Sequence, residues 1–180
     1  NDGLELLHAN LADIREVLDS LEQTRQIRNV ILVGLCSGAD HAVIYGGDDP
    51  RVKGIVIIDP SIPHTRRYHL NYLRDRLFRF SSWRNLTSAR HPLWQGLRRK
   101  LNQTQPDKED PRPDLQSEEV RTFLENAYAK ACAADLSFLA VFTSDLEAQH
   151  NYREQVLDAF PRVPLARKMQ LEYFETADHT

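Results

Sequence analysis

The feature that most constrains this chain is a strand that turns abruptly into a helix at residues 29–39. The stretch reads Asn-Val-Ile-Leu-Val-Gly-Leu-Cys-Ser-Gly-Ala, in which an apolar, β-branched run is followed by small residues around a polar apex. The apex residue of such a tight turn is strained, so we expect the residues two before and two after it to lack bulk. Gly34 and Gly38 meet that requirement around Cys36, whereas Leu35 would crowd a turn centred on Ser37. The spacing therefore selects Cys36 as the apex residue.

Apolar runs alternate with helical patterns on both sides of this turn. Strands are predicted at 30–33, 54–59, 138–142 and 169–174, and helices at about 4–21, 39–45, 118–134 and 150–160. Continuous apolar runs are typical of strands that are buried on both faces of a parallel sheet. The alternation predicts an α/β fold with a mostly parallel sheet, in which the unit around the turn is a right-handed strand–helix–strand crossover.

Three stretches in this order carry a family resemblance: residues 34–39, 138–145 and 173–180. The chain resembles the α/β-hydrolase superfamily in the cysteine variant also found in dienelactone hydrolase, and it is similar to hydrolases associated with bacterial exosortase systems. The resemblance implies a partial α/β-hydrolase fold that contains the C-terminal strands only. On this interpretation the chain is roughly the C-terminal two thirds of a larger enzyme. We therefore expect it to be poorly active by itself, because it would lack the loop that donates half of the oxyanion hole.

The strand–helix alternation stops between residues 61 and 135. We predict a hydrolase core at 1–60 and 136–180 and a helical insertion at 61–135, where the resemblance implies a cap or lid over the active site. Residues 103–117 are polar and contain three prolines, which is typical of an irregular, mobile loop.

The resemblance implies that Cys36 is the nucleophile, that the backbone N–H of Ser37 stabilises the oxyanion, and that His179 is the general base. A thiolate at the N-terminus of a helix is favoured by the helix dipole, and a nearby His would favour it further. The alternative is that Cys36 is a small buried residue in a tight turn and that His179 is an ordinary surface residue.

Three carboxylates are candidates for the acid that orients the His tautomer. Asp145 comes just past the third strand, where the resemblance implies the acid. Glu147 lies two residues later, and Asp59 ends the preceding strand. Our order of preference is Asp145, Glu147, Asp59, and each could instead be a solvated loop carboxylate.

The predicted insertion is markedly basic, although the formal net charge of the chain is -3. Such segregation of charge can steer an anionic substrate or favour peripheral contact with an anionic membrane surface. The alternative is a solvated helix face. No binding motif indicates a nucleic-acid partner. Between residues 62 and 100 the only acid is Asp75, and the basic residues are Arg66, Arg67, Arg74, Arg76, Arg79, Arg84, Arg90, Arg98, Arg99 and Lys100.

Two cysteines in 180 residues, Cys36 and Cys132, do not make a disulfide framework, which favours a cytoplasmic protein. No metal-ligand spacing is present, so we expect neither a metal nor a cofactor.

The sequence predicts a hydrolase of an ester, thioester or lactone-like small acyl substrate that acts through a Cys-His-Asp triad. Acyl transfer is a close neighbour of this reaction. The alternative function is a non-catalytic binding protein that uses the basic insertion for an anionic ligand, lipid or protein.

Overall fold

The structure is a computed structural model, and it describes residues 7–8, 10–78, 114–144 and 149–174. Five helices and four strands lie within these ranges, together with a 3₁₀ turn at Leu165–Arg167. In chain order they are α1 (Leu11–Arg25), β1 (Val30–Leu35), α2 (Ser37–Gly46), β2 (Val52–Ile58), α3 (Arg66–Phe78), α4 (Glu118–Ala133), β3 (Ser137–Thr143), α5 (Gln155–Ala159) and β4 (Met169–Phe174).

The four strands form one sheet in the order β1-β2-β3-β4, and every neighbouring pair is parallel. This confirms the predicted α/β fold with a parallel sheet. Because the strands are parallel, their carboxyl ends lie at the same edge of the sheet. Leu35 pairs with Ile58, and Ile58 pairs with Val141, so the residues that follow these positions are neighbours at that edge.

The core lies between the sheet and the helices α2 and α4. Helix α2 packs on β1 and β2, and α4 packs on α2. The largest fully buried side chains include Ile55 and Ile57 of β2, Tyr128 of α4 and Phe142 of β3. This packing holds the carboxyl ends of the strands in a fixed arrangement.

Strand β1 differs from the prediction, because only one of its faces is buried. Ile31, Val33 and Leu35 are 64%, 67% and 53% exposed, whereas Gly34 on the opposite face is buried under α2. The strand lies at the edge of the described sheet, and within the described residues no element covers the face formed by these three side chains.

Two helix boundaries also differ from the sequence-based expectation. The first helix begins at Leu11, after Asn10 in the left-handed region with φ 62°, and only residues 7–8 of the preceding stretch are described as helical. The helix predicted at 150–160 is confined to Gln155–Ala159, so His150 lies in the loop after β3. Helix α4, by contrast, begins as predicted: the Ser117 side chain accepts the Val120 N–H at 3.2 Å.

The described residues up to Thr65 and from Asp114 onward belong to one compact unit, and α3 belongs to a second. Residues 61–65 and 114–135 of the predicted insertion therefore lie in the first unit. Helix α4 belongs to the core unit because Val120, Leu124 and Tyr128 are buried in the hydrophobic core. Of the predicted mobile loop, residues 103–113 lie outside the described residues, and 114–117 form the turn before α4.

Helix α3 carries the described part of the basic segment. Arg66, Arg67 and Arg74 are exposed, and the Arg74 Nε lies 3.3 Å from an Asp75 carboxylate oxygen. The rings of Tyr68 and Tyr72 are stacked with centroids 6.4 Å apart. Among the described helices, none combines the length and apolarity needed to cross a bilayer.

Candidate active site

Cys36 lies at the apex of the turn between β1 and α2, as the glycine spacing predicts. Its backbone has φ 50° and ψ -121°, a conformation that costs on the order of 1–3 kcal/mol for a residue with a side chain. Its N–H donates to the Ile58 carbonyl at 2.9 Å, and its carbonyl accepts the Ala39 N–H at 2.9 Å. The turn is therefore attached to β2 on one side and to the helix on the other.

The two glycines of the turn are not equivalent. A Cβ at Gly34 would overlap the backbone of Gly38 and Ala39, because the first turn of α2 lies directly against the strand. A Cβ at Gly38 would meet no heavy atom within 4 Å. The steric requirement expected for both positions therefore applies to Gly34 alone.

The Cys36 side chain is half-buried, and Ser37, the first residue of α2, is exposed. The first N–H groups of a helix have no acceptor within the helix, and the helix dipole adds partial positive charge there. The backbone N–H of Ser37 is thus a donor beside an accessible thiol. A backbone N–H in this position can stabilise negative charge that develops on a substrate oxygen.

Asp59 follows β2 directly and lies beside Cys36 at the edge of the sheet. The register pairs the residues before them, Leu35 and Ile58, and the Asp59 N–H donates to the Val141 carbonyl at 2.9 Å. Asp59 is fully buried, and its φ of 46° is the second left-handed backbone angle at this edge. The structure therefore brings together the candidate nucleophile and the third-ranked of the three candidate acids.

Thr143, the last residue of β3, and His150, in the loop that follows β3, hold the Asp59 carboxylate. Thr143 donates its N–H to Oδ1 and its hydroxyl to Oδ2, both at 2.8 Å. The Nε2 of His150 lies 3.0 Å from Oδ1, and neither the imidazole nor the carboxylate has any exposed surface. The result is a buried polar cluster of Asp59, Thr143 and His150 at the ends of two adjacent strands.

A second buried carboxylate lies one turn into α2. Asp40 is 3% exposed, and its Oδ1 accepts the Ser61 N–H at 3.0 Å. Burial raises the pKa of Asp40 from its usual 3.8 to about 6, against the opposing effect of the hydrogen bonds from Ser61. The contact ties the helix that follows Cys36 to the loop that follows Asp59.

The surroundings of Cys36 do not favour its thiolate. Burial raises the pKa of the Cys36 thiol, and the negative charges of Asp59 and Asp40 raise it further. This is opposite in direction to the lowering expected from the helix dipole and a neighbouring His. A thiol in this environment needs a base to take its proton as it attacks.

The other predicted site residues, Asp145, Glu147 and His179, lie outside the described residues. The sequence pattern does not single out His150, because the helix predicted at 150–160 contains it. Its position a few residues past a buried strand, at the same edge as Asp59, is the signal that could have identified it.

A pocket of about 490 Å³ opens at the same edge, beyond β3 and β4. Its lining offers hydroxyl, amide and guanidinium groups, from Ser144, Asn151, Tyr152, Arg153 and Tyr173. A polar lining of this kind could hold the polar part of a small substrate. In the described part of the chain no group of His, Cys, Asp and Glu is arranged to hold a metal ion.

No protein-family model matches this chain, and a search of curated proteins finds no match. Solved structures include distant likenesses. One, from carboxylesterases of the ammonia-oxidizing thaumarchaeon Nitrososphaera gargenis, is 16% identical with a TM-score of 0.46 and covers 94% of this chain and 64% of that chain. Another, VinJ, is 14% identical with a TM-score of 0.45 and covers 91% and 64%. This chain thus spans about 64% of the length of each, and at these scores the likenesses carry no argument about its activity.

Proposed function

We propose that the protein is an α/β-hydrolase-type enzyme that hydrolyses an ester, thioester or lactone-like acyl substrate through a covalent acyl-enzyme. The observation that supports this most is the strained backbone of Cys36 at the apex of a strand–turn–helix, beside a helix N-terminus and a buried carboxylate. Strain of this kind is retained where the surrounding structure imposes it, and it clusters at active sites.

In the proposed reaction the Cys36 sulfur attacks the acyl carbon while its proton passes to the imidazole of His179. The tetrahedral oxyanion accepts a hydrogen bond from the backbone N–H of Ser37. The bond to the leaving oxygen or sulfur then breaks, and the leaving group takes the proton from the imidazolium. Water, deprotonated by the same imidazole, attacks the thioester, and collapse of the second intermediate releases the carboxylic acid and restores the thiol.

Base-assisted attack fits the environment of the thiol better than a preformed thiolate–imidazolium pair does. Burial, Asp59 and Asp40 all raise the pKa of Cys36, which disfavours a preformed thiolate. Proton removal must then accompany bond formation, as it does for a serine nucleophile.

For the acid we keep the candidates Asp145, Glu147 and Asp59, and the described contacts favour Asp59. Its carboxylate is buried at the edge where Cys36 lies, and three hydrogen bonds fix its orientation. Asp59→Asn should then lower kcat by on the order of 10⁴-fold, as loss of the orienting acid does in a triad. A large loss in Asp145→Asn with none in Asp59→Asn would assign the role to Asp145 instead.

The test of the function is acyl turnover with capture of the intermediate. The test uses the full-length protein, because this chain is expected to be poorly active by itself. That protein is offered short-chain p-nitrophenyl esters and acyl thioesters in a Cys132→Ala background. We expect acylation of Cys36 by mass spectrometry and loss of turnover in Cys36→Ala. An intact thiol that gains no acyl group from any of these substrates would refute the proposal.

A further part of the proposal concerns substrate, acceptor and compartment. The exposed arginines of α3 support a small anionic acyl substrate or peripheral contact with an anionic membrane.

An alcohol or amine acceptor in place of water would make the same acyl-enzyme an acyltransferase. Both cysteines are free thiols, which supports a reducing, cytoplasmic setting.

The second candidate function is a non-catalytic binding protein, and the raised pKa of the Cys36 thiol is the observation that favours it. A thiol without a role in catalysis needs no low pKa. This function predicts that Cys36→Ala keeps binding to anionic vesicles or ligands, whereas charge reversal at Arg74 and Arg76 abolishes it. The opposite pattern would favour the enzyme.

A further inference from the structure

The buried cluster of Asp59, Thr143 and His150 is costly if its only role is to fill space. An ionised carboxylate away from water costs several kcal/mol unless it is well paired, and apolar replacements of buried ion pairs are often neutral or stabilising. Asp59 also has a left-handed backbone with φ 46°. Two unfavourable features in one residue beside Cys36 point to a role at the site.

The contacts of Asp59 fit one tautomer of His150. Both carboxylate oxygens accept hydrogen bonds from Thr143, and the tautomer with its hydrogen on Nε2 can donate to Oδ1, 3.0 Å away. The ring is held by Phe142 at 5.0 Å between centroids and by Tyr173 at 6.2 Å, both edge to face. The imidazole is therefore held with its donor aimed at Asp59.

His150 does not itself meet a substrate. Its side chain has no exposed surface, and a general base must come within hydrogen-bond reach of the proton that it removes. The described contact through which His150 can act on the site is its hydrogen bond to Asp59.

We infer that His150 is a positioning residue: together with Thr143 it holds the Asp59 carboxylate beside Cys36, in the orientation from which Asp59 orients the catalytic imidazole. This inference rests on the proposed function. The bonds from Thr143 and His150 take both acceptor positions of Oδ1 and one of Oδ2.

The experiment compares three variants in the Cys132→Ala background. His150→Phe removes the donor and keeps a ring, His150→Gln restores an N–H donor, and Thr143→Val removes only the hydroxyl. We expect His150→Phe to lower kcat for an acyl ester by on the order of 10- to 100-fold with little change in KM, because a misplaced catalytic group costs rate and not binding. His150→Gln should recover most of the loss, and Thr143→Val should fall between them.

A double-mutant cycle separates positioning from general destabilisation. If His150 acts through Asp59, His150→Phe should have no further effect on kcat in the Asp59→Asn background. Additive losses would overturn the inference. So would a fall in melting temperature without a change in kcat, or a failure of His150→Gln to recover activity when it is folded.

A second readout works without turnover and keeps the inference testable if the proposed function fails. The charges that face the Cys36 thiol are those of Asp59 and Asp40, and both raise its pKa. Without the His150 donor, the Asp59 carboxylate should no longer be held in one position relative to the Cys36 sulfur, so the pH midpoint of Cys36 alkylation should shift in His150→Phe. In Asp59→Asn, which removes the charge, the midpoint should fall. An unchanged midpoint in a folded His150→Phe would refute the positioning role, whatever the activity of the wild type.

Discussion

Replacing Asp40 with Asn tests how much the burial of its carboxyl group lowers the stability of the folded protein at neutral pH. The pKa of Asp40 rises from its usual 3.8 to about 6 in the folded protein, mainly because its carboxyl group is buried. The folded state therefore holds its proton to a higher pH than the unfolded state does, and the free energy of unfolding falls as pH rises from about 4 to about 6. A difference of about 2 pKa units corresponds to ~3 kcal/mol at neutral pH.

Asp40→Asn removes this titration and keeps an oxygen for the Ser61 N–H, which lies 3.0 Å from Oδ1. We expect the stability of the variant relative to the wild type to increase by about 2 kcal/mol between pH 4.5 and pH 7.5. Urea unfolding at a series of pH values measures this difference. Ser61→Ala, which removes a hydrogen bond that lowers the pKa, should extend the fall in stability to higher pH. Parallel stability curves for Asp40→Asn and the wild type would refute the reasoning.

Three further predictions use other parts of the structure. Gly34→Ala should lower the free energy of unfolding by about 3 kcal/mol or more, because its Cβ overlaps the backbone of α2. Gly38→Ala should change the free energy of unfolding by less than about 1 kcal/mol. Equal effects of the two variants in urea unfolding would contradict the geometry. Alkylation of Cys36 by iodoacetamide should have its midpoint above the ~8.5 of a free thiol, since burial and two carboxylates raise its pKa, and a midpoint well below that value would show that a cation dominates instead. The exposed apolar face of β1 predicts self-association that increases with protein concentration, and Val33→Asp should reduce it in sedimentation because it places a charge on that face. Unchanged self-association would show that another surface mediates it.

The parts of the fold that were predictable are those fixed by local patterns. Continuous apolar runs located β1, β2 and β3, an apolar–polar alternation located β4, and the two glycines that flank Cys36, Gly34 and Gly38, located the turn. Ser117 located the start of α4, because a side-chain cap is a contact between residues close in sequence. Signals of this kind need no knowledge of the rest of the chain.

The parts that were not predictable depend on residues that are distant in sequence. Asp59 and His150 are 91 positions apart, and only the order of the strands brings them together. The pKa of Cys36 likewise depends on burial and on Asp59, neither of which the turn sequence reveals. The exposure of one face of β1 has the same origin, because a continuous apolar run does not say which neighbours cover it.

The left-handed backbone of Cys36 allows the role of that position to be tested without a substrate. Glycine adopts such a conformation at almost no steric cost, so a turn that served the fold alone would be more stable with Gly at its apex. Cys36→Gly should therefore raise the free energy of unfolding by about 1 kcal/mol, even as it removes the thiol. A gain in stability on deleting the side chain would be the mark of a residue kept for its reactivity, and a loss would mean that the sulfur is part of the packing.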